Sequence, residues 1–144
     1  MRAPVRLLVL FVFLLMGFGK NAVADTHFVW TNSPNPGSHF LTWDTAAHSI
    51  QDAVDAAASN DVVLVTNGSY SVGGWAVHGA MTNRVAITNA IRVQSVNGWS
   101  NTFIVGNTGA GGPGDDAVRC AYLGEGAVLA GFTLTGGCTR TASP

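Results

Sequence analysis

Short apolar segments alternate with turns rich in asparagine and glycine along most of this 144-residue chain. The segments are enriched in valine, isoleucine and phenylalanine, and the turns include TNG, VNG and TGG, a combination that predicts strands and tight turns. The predicted strands cover residues 62–65, 85–87, 91–93, 103–105, 118–123 and 128–134. A meander of antiparallel hairpins fits poorly, because the Asn-Gly turns are followed by long stretches of weak alternation.

A weak internal repeat favours a stacked arrangement of these strands. SVGGW at residues 71–75 matches SVNGW at residues 95–99 at four of five positions, with an offset of 24 residues. Strand starts give similar intervals, 23 residues from Val62 to Val85 and 25 from Phe103 to Val128. A period near 24 with several short strands is typical of a solenoid whose turns pair in parallel. The repeat therefore predicts a β-solenoid.

One short amphipathic helix is predicted over residues 49–58. Four apolar residues recur at helical spacing and form one face: Ile50, Ala53, Val54 and Ala57. Ser49 followed by Asp52 has the pattern of a capping box, and Asn60 is a suitable left-handed terminator. Because the first turn of a solenoid leaves its core and strand edges open, we predict that this helix is an N-terminal cap.

Four stretches between residues 46 and 140 carry a family resemblance: IQDAVDAA, DVVLVTNGSY, VRCAYL and AVLAGFTLTGG. They resemble the beginning of bacterial right-handed parallel β-helix proteins of the pectin lyase-like class, particularly large exported repeat proteins of the polymorphic outer membrane or autotransporter-like type. The resemblance implies an all-β, right-handed parallel β-helix with a short capping helix. Such proteins continue for many further turns, so it also implies a fragment of a longer solenoid.

The first residues have the pattern of a secretory signal peptide. Arg2 and Arg6 precede an apolar run over residues 7–18, which is shorter than the roughly 20 residues that cross a bilayer. Ala22-Val23-Ala24 then supplies the small residues that a signal peptidase accepts, although an uncleaved anchor is the alternative. We expect cleavage after Ala24 and no transmembrane span afterwards. The location would be extracellular, at the bacterial surface or in the outer membrane.

The predicted domains follow from that cleavage. Residues 25–48 are expected to form an N-terminal extension, and residues 49–144 the capping helix and the first solenoid turns. Beyond residue 24 the chain has four arginines, no lysine and eight carboxylates, which gives a net charge of −4. Such a balance disfavours binding to nucleic acid.

The two cysteines, Cys120 and Cys138, are too few for a disulfide framework and fit no zinc spacing. We expect Cys120 to be a small packed side chain on a strand where Arg119 faces water, and Cys138 to lie in a turn. A bridge between the two is a second possibility in an exported chain, and pairing with a cysteine outside this sequence is a third.

The glycine-rich stretch from Gly109 to Gly114 formally matches GxGxxG. Pro113 interrupts it and a strand follows, whereas a dinucleotide site needs a helix to begin there, so a loop is predicted. Asp115 and Asp116 are weak calcium candidates, because calcium needs six to eight oxygen ligands and two adjacent carboxylates usually remain solvated. We expect no cofactor.

Trp75 and Trp99 are the candidate carbohydrate contacts. At an offset of 24 residues they would stack on successive solenoid turns and offer aromatic faces to a sugar ring. The alternative is that both rings cover an exposed edge of the core.

The function predicted from the sequence is a secreted or cell-surface scaffold for adhesion or binding, with a polysaccharide or cell-surface glycan as partner. Its catalytic residues are unknown, since the four histidines form neither metal-ligand nor nucleophile spacing. The alternative is the N-terminal part of a polysaccharide lyase or glycoside hydrolase whose active site lies beyond residue 144. An open last turn would also favour self-association.

Overall fold

The structure is a computed structural model that describes residues 23–140. The predicted signal peptide lies outside the described residues, apart from the exposed Val23 and Ala24. The elements in chain order are β1 (Thr26–Val29), α1 (Ile50–Ala56), β2 (Val62–Val65), β3 (Gly68–Tyr70), β4 (Trp75–His78), β5 (Met81–Ile87), β6 (Arg92–Ser95), β7 (Thr102–Val105), β8 (Val118–Leu123), β9 (Val128–Ala130) and β10 (Thr133–Thr135). In this part of the chain no helix is long and apolar enough to cross a membrane.

The strands form three small sheets. The first has the order β1-β2-β6-β9, the second β10-β7-β3 and the third β4-β5-β8. Every pair is parallel except β4 with β5, which are antiparallel. The shared core contains buried side chains from β1, α1, β2, β3, β5, β6 and β7: Val29, Ile50, Ala53, Val54, Val63, Val65, Tyr70, Val85, Ile87, Val93 and Ile104.

The predicted fold class, an all-β right-handed parallel β-helix, is wrong. Residues 23–140 form a mixed structure of three small sheets and one helix, and none of the sheets forms a solenoid. One physical reason lies at Gly79, whose φ of 57° allows the chain to reverse between β4 and β5. The third sheet therefore combines an antiparallel hairpin with a parallel partner.

The predicted 24-residue period is also wrong. In the first sheet Thr26 pairs with Val62, Val62 with Arg92 and Arg92 with Val128, so partners are 36, 30 and 36 residues apart. The SVGGW and SVNGW stretches are not structural counterparts. Residues 71–74 precede a strand that pairs with β5, whereas residues 96–101 are a turn after β6.

The helix prediction is confirmed. The Ser49 hydroxyl accepts a hydrogen bond from the Asp52 N–H at 3.1 Å, which satisfies one of the free donors at the helix start. The four residues of the predicted apolar face are all buried. Asn60 has the left-handed φ of 77°, but it lies beyond the helix end and begins the turn into β2.

Helix α1 packs against β1, β2 and β5 rather than over the end of a solenoid turn. It makes a specific contact with β5 through Gln51, at a position that β4 no longer covers. The Gln51 side chain accepts from the Ala86 N–H at 2.8 Å and donates to the Ala86 carbonyl at 3.2 Å. The carboxamide thus satisfies both polar groups of a buried strand residue and closes this edge of β5.

Asp61 links the start of β1 to the turn that leads into β2. Its carboxylate accepts from the Asp25 N–H and the Ala58 N–H, each at 2.8 Å, and lies 3.1 Å from His27 Nε2. The other ring nitrogen, His27 Nδ1, lies 2.7 Å from the His39 carbonyl. Since both partners of the ring are acceptors, both contacts are hydrogen bonds only when both nitrogens carry a proton.

Burial raises the pKa of the Asp61 carboxyl, but the hydrogen bonds from Asp25, His27 and Ala58 together outweigh it, so the pKa lies below its usual value. A lowered pKa in the folded state stabilises the protein above the unfolded pKa of an aspartate, about 3.9. This stabilisation is lost as pH falls through the lower pKa of the folded state.

We expect Gln51→Ala to lower the free energy of unfolding by about 1–3 kcal/mol, because it leaves the buried N–H and carbonyl of Ala86 without these partners. Urea unfolding followed by circular dichroism measures the change. Gln94→Ala is the matched control, since the Gln94 side chain makes no hydrogen bond within residues 23–140. Equal effects of the two variants would contradict the role of Gln51.

We expect Asp61→Asn to lower the free energy of unfolding by about 3–5 kcal/mol near neutral pH, because an amide cannot accept all three contacts and His27 loses its charged partner. The variant should also lose part of the acid sensitivity below about pH 4. Urea unfolding over a pH series measures both effects, with the exposed Asp44→Asn as control. A variant that keeps the full acid dependence would contradict this assignment.

Candidate functional site

A cleft of about 270 Å³ lies between the start of α1 and the segment that joins β3 to β4. We name it the α1 cleft and define it by Asp52 and Asp55 on the helix side, by Val72 and Trp75 at the rim, and by Tyr70 and Arg84 on the buried side. Pockets that bind small molecules typically combine an apolar surface with a few well-placed polar groups. The α1 cleft has this composition.

The buried side of the cleft is rigidly packed. Tyr70 is buried at the end of β3, and its hydroxyl donates to the Thr66 carbonyl at 3.1 Å. Burial raises the pKa of the Tyr70 hydroxyl, and the hydrogen bonding with Thr66 offsets part of that rise. The ring therefore presents a neutral surface to the cleft at physiological pH.

Arg84 holds the segment that forms the outer wall. This residue is buried on β5, and its Nε donates to the Val105 carbonyl at 2.7 Å while Nη1 donates to the Gly73 carbonyl. Burial lowers the pKa of the Arg84 guanidinium, an effect partly offset by the nearby Cys120. In the described part of the chain Arg84 forms no ion pair with a carboxylate. Its charge is instead compensated by the carbonyls of two separate segments.

The helix side of the cleft supplies exposed carboxylates. Asp52 and Asp55 lie one turn apart on α1, on the side away from the apolar face. Gln51 Nε2 donates to Asp55 Oδ1 at 2.7 Å, which orients that carboxylate. His48 is nearby and its Nε2 lies 3.0 Å from the Ser33 carbonyl. The carboxylates are acceptors available to hydroxyl groups of a ligand.

The rim is unusually apolar for exposed loop residues. Val72 is 84% exposed and Trp75 is 49% exposed, and both line the cleft. Gly73 lies between them with a φ of 84°, a conformation that other residues rarely adopt. A ligand in the cleft would thus meet an apolar rim beside carboxylate acceptors.

The two tryptophans predicted as carbohydrate contacts lie in different settings. Trp75 begins β4, opposite Asn83, and lines the α1 cleft. Trp99 lies in the turn after β6, is 69% exposed and is not part of the cleft, and its carbonyl accepts from the Thr133 hydroxyl at 2.7 Å. The expected 24-residue stacking register does not occur, while a carbohydrate contact at either residue stays a prediction.

The acidic pair in the glycine-rich loop is engaged by protein groups. Asp115 forms an exposed ion pair with Arg140, and Asp116 accepts from the Ala110 N–H at 3.0 Å. Among the described residues no group of three or more histidine, cysteine, aspartate or glutamate side chains is arranged to hold a metal ion. Calcium binding at Asp115 and Asp116 stays a prediction. Residues 108–117 form a loop with no helix, as predicted for the glycine-rich stretch.

Comparisons with protein-family models, with curated proteins and with solved structures found no match. The family resemblance of the sequence motifs stays a prediction and gives no argument about the site. The α1 cleft must therefore be interpreted from its own chemistry.

The sequence pointed to only part of this site. Trp75 was singled out, and the carboxylates of Asp52 and Asp55 were expected to point away from the apolar face of the helix. Arg84 was missed because its role depends on two carbonyls, of Gly73 and Val105, that only the fold brings together. A lone arginine between apolar residues in a predicted strand was the one available signal.

We expect Arg84→Lys to loosen the wall of the cleft, because one ammonium group does not reproduce the forked contact with the Gly73 and Val105 carbonyls. Losing a hydrogen bond from a charged donor costs about 1.5–3 kcal/mol. Amide exchange of residues 71–75 should accelerate about tenfold or more. The exposed Arg92→Lys on β6 is the control, and unchanged exchange in Arg84→Lys would contradict the assignment.

Proposed function

We propose that the protein is a carbohydrate-binding module that acts outside the cell, as part of a scaffold for adhesion, without catalysis of its own. The α1 cleft is its binding site. The observation that carries the proposal is the pairing of an exposed apolar rim, Val72 and Trp75, with two exposed carboxylates, Asp52 and Asp55, across one small cleft.

Sugar rings match this pairing chemically. A pyranose has an apolar face of C–H groups and an edge of hydroxyl groups. The face packs against the flat Trp75 side chain, which offers a large apolar area at small conformational cost. The hydroxyls donate to the carboxylates of Asp52 and Asp55. A cleft of about 270 Å³ has room for one or two rings, since small-molecule sites begin at about 300 Å³.

The sequence supports a location outside the cell. The N-terminal pattern is that of a secretory signal peptide, and the remaining chain is mildly acidic and free of lysine. Glycans of cell surfaces and extracellular matrices are abundant there. An exported chain with a shallow, partly exposed cleft suits reversible adhesion through many weak contacts.

The test is a glycan array followed by titration calorimetry with the best glycan. We expect Trp75→Ala to weaken binding about tenfold or more, since burying an aromatic face contributes about 1.5–3 kcal/mol. Asp52→Asn should weaken binding by a smaller factor, because an amide still accepts hydrogen bonds. Urea unfolding of both variants should match the wild type, because both side chains are exposed.

Trp99→Ala is the matched control, because Trp99 is also exposed but lies outside the cleft. The proposal predicts wild-type affinity for this variant. Equal losses in Trp75→Ala and Trp99→Ala would move the site away from the cleft. Absence of any glycan binding would overturn the proposal, and release of reducing ends from a bound glycan would contradict its non-catalytic part.

A further inference from the structure

The two cysteines meet in a groove on the side of the molecule formed by β8, β10 and the residues that follow β10. Both are free and half-buried, and both line this open groove. Cys120 lies in the middle of β8, and Cys138 lies just past β10. The sequence analysis left their pairing open, and the α1 cleft does not involve them.

The backbone before Cys138 lies directly against the Cys120 thiol. A Cβ atom placed on Gly137 would come within 2.7 Å of Cys120 Sγ and 3.0 Å of the Cys120 backbone nitrogen. The Cys138 N–H in turn donates to the Val118 carbonyl at 3.4 Å. The residue next to Cys138 therefore already contacts Cys120, and only glycine fits at that position.

Neither thiol is held by a strong contact. Cys120 Sγ donates to the Thr135 carbonyl at 3.2 Å, and Cys138 Sγ donates to the Thr139 carbonyl at 3.6 Å. Thiols are weak donors, so rotation of either side chain loses little. Because the groove is open, a small oxidant can reach both sulfur atoms.

We propose that Cys120 and Cys138 form an intramolecular disulfide that fastens the segment after β10 to β8. The oxidant is a low-molecular-weight disulfide of the glutathione class. One cysteine thiolate attacks it, forms a mixed disulfide and releases one reduced thiol. The second cysteine thiolate attacks the protein sulfur of that mixed disulfide, forms the Cys120–Cys138 bond and releases the second reduced thiol. The two electrons and two protons of the protein thiols end on the two released thiols.

The experiment incubates the full chain in glutathione redox buffers, with and without urea, and traps free thiols by alkylation. Trypsin leaves both cysteines in one peptide, residues 120–140, and Glu125 is the one glutamate in the sequence. A second digestion after glutamate separates residues 120–125 from residues 126–140 unless the disulfide joins them. Mass spectrometry of that digest thus identifies the bond directly, and reduction should split the joined pair.

We expect a joined pair from monomeric protein, and a folded chain that needs about tenfold more reductant, or more still, to open the bond than the unfolded chain does. The oxidised chain should also melt about 10 °C above the reduced chain. Cys120→Ser and Cys138→Ser are the controls, and each should retain one alkylatable thiol and show no such shift.

Two results would overturn the proposal. The first is two alkylated cysteines after oxidation of the folded chain, or a disulfide that joins two chains. The second is a bond that opens at the same reductant concentration in folded and unfolded protein, because the fold would then not favour the pair.

Discussion

The Asp61 carboxylate is the contact on which the arrangement of the first half of this protein depends. It receives backbone N–H groups from Asp25 and Ala58 and contacts the buried ring of His27, so it joins three positions that are far apart in the chain. A buried carboxylate is costly unless its oxygens are fully hydrogen-bonded, and this one is. The edge strand β1 is positioned by this contact as well as by its ladder with β2.

The position of β1 and α1 in turn sets the geometry of the α1 cleft. Helix α1 packs on β1, β2 and β5, and the Gln51 contact with Ala86 fixes its rotation relative to β5. With that rotation Asp52 and Asp55 face the outer wall, which Arg84 holds from the other side. The cleft is thus built from two polar clamps on one strand, with the ligand-facing groups carried on rigid elements.

Local patterns predicted the elements better than their partners. The strand over residues 62–65 and the strand over residues 118–123 have the predicted bounds, and the apolar helix face is buried as expected. The segment over residues 128–134 is two strands, because Gly131 adopts a left-handed φ of 77° between them. Pairing failed because a five-residue match is a weak guide to register, and the true partners are 30 or more residues apart. Arg119, expected to face water, instead has buried Nε and Nη2 atoms and lies opposite the buried Asn83, since its environment depends on that pairing.

The separation between paired strands has a consequence for how the chain folds. Each parallel ladder forms only after a loop of 30 to 36 residues closes, so the chain loses loop entropy before any ladder stabilises it. The helix and the β4–β5 hairpin are the local elements among the described residues. High contact order of this kind slows folding and leaves strand edges unpaired for longer. A slow folder of this topology would remain compatible with export in an unfolded state.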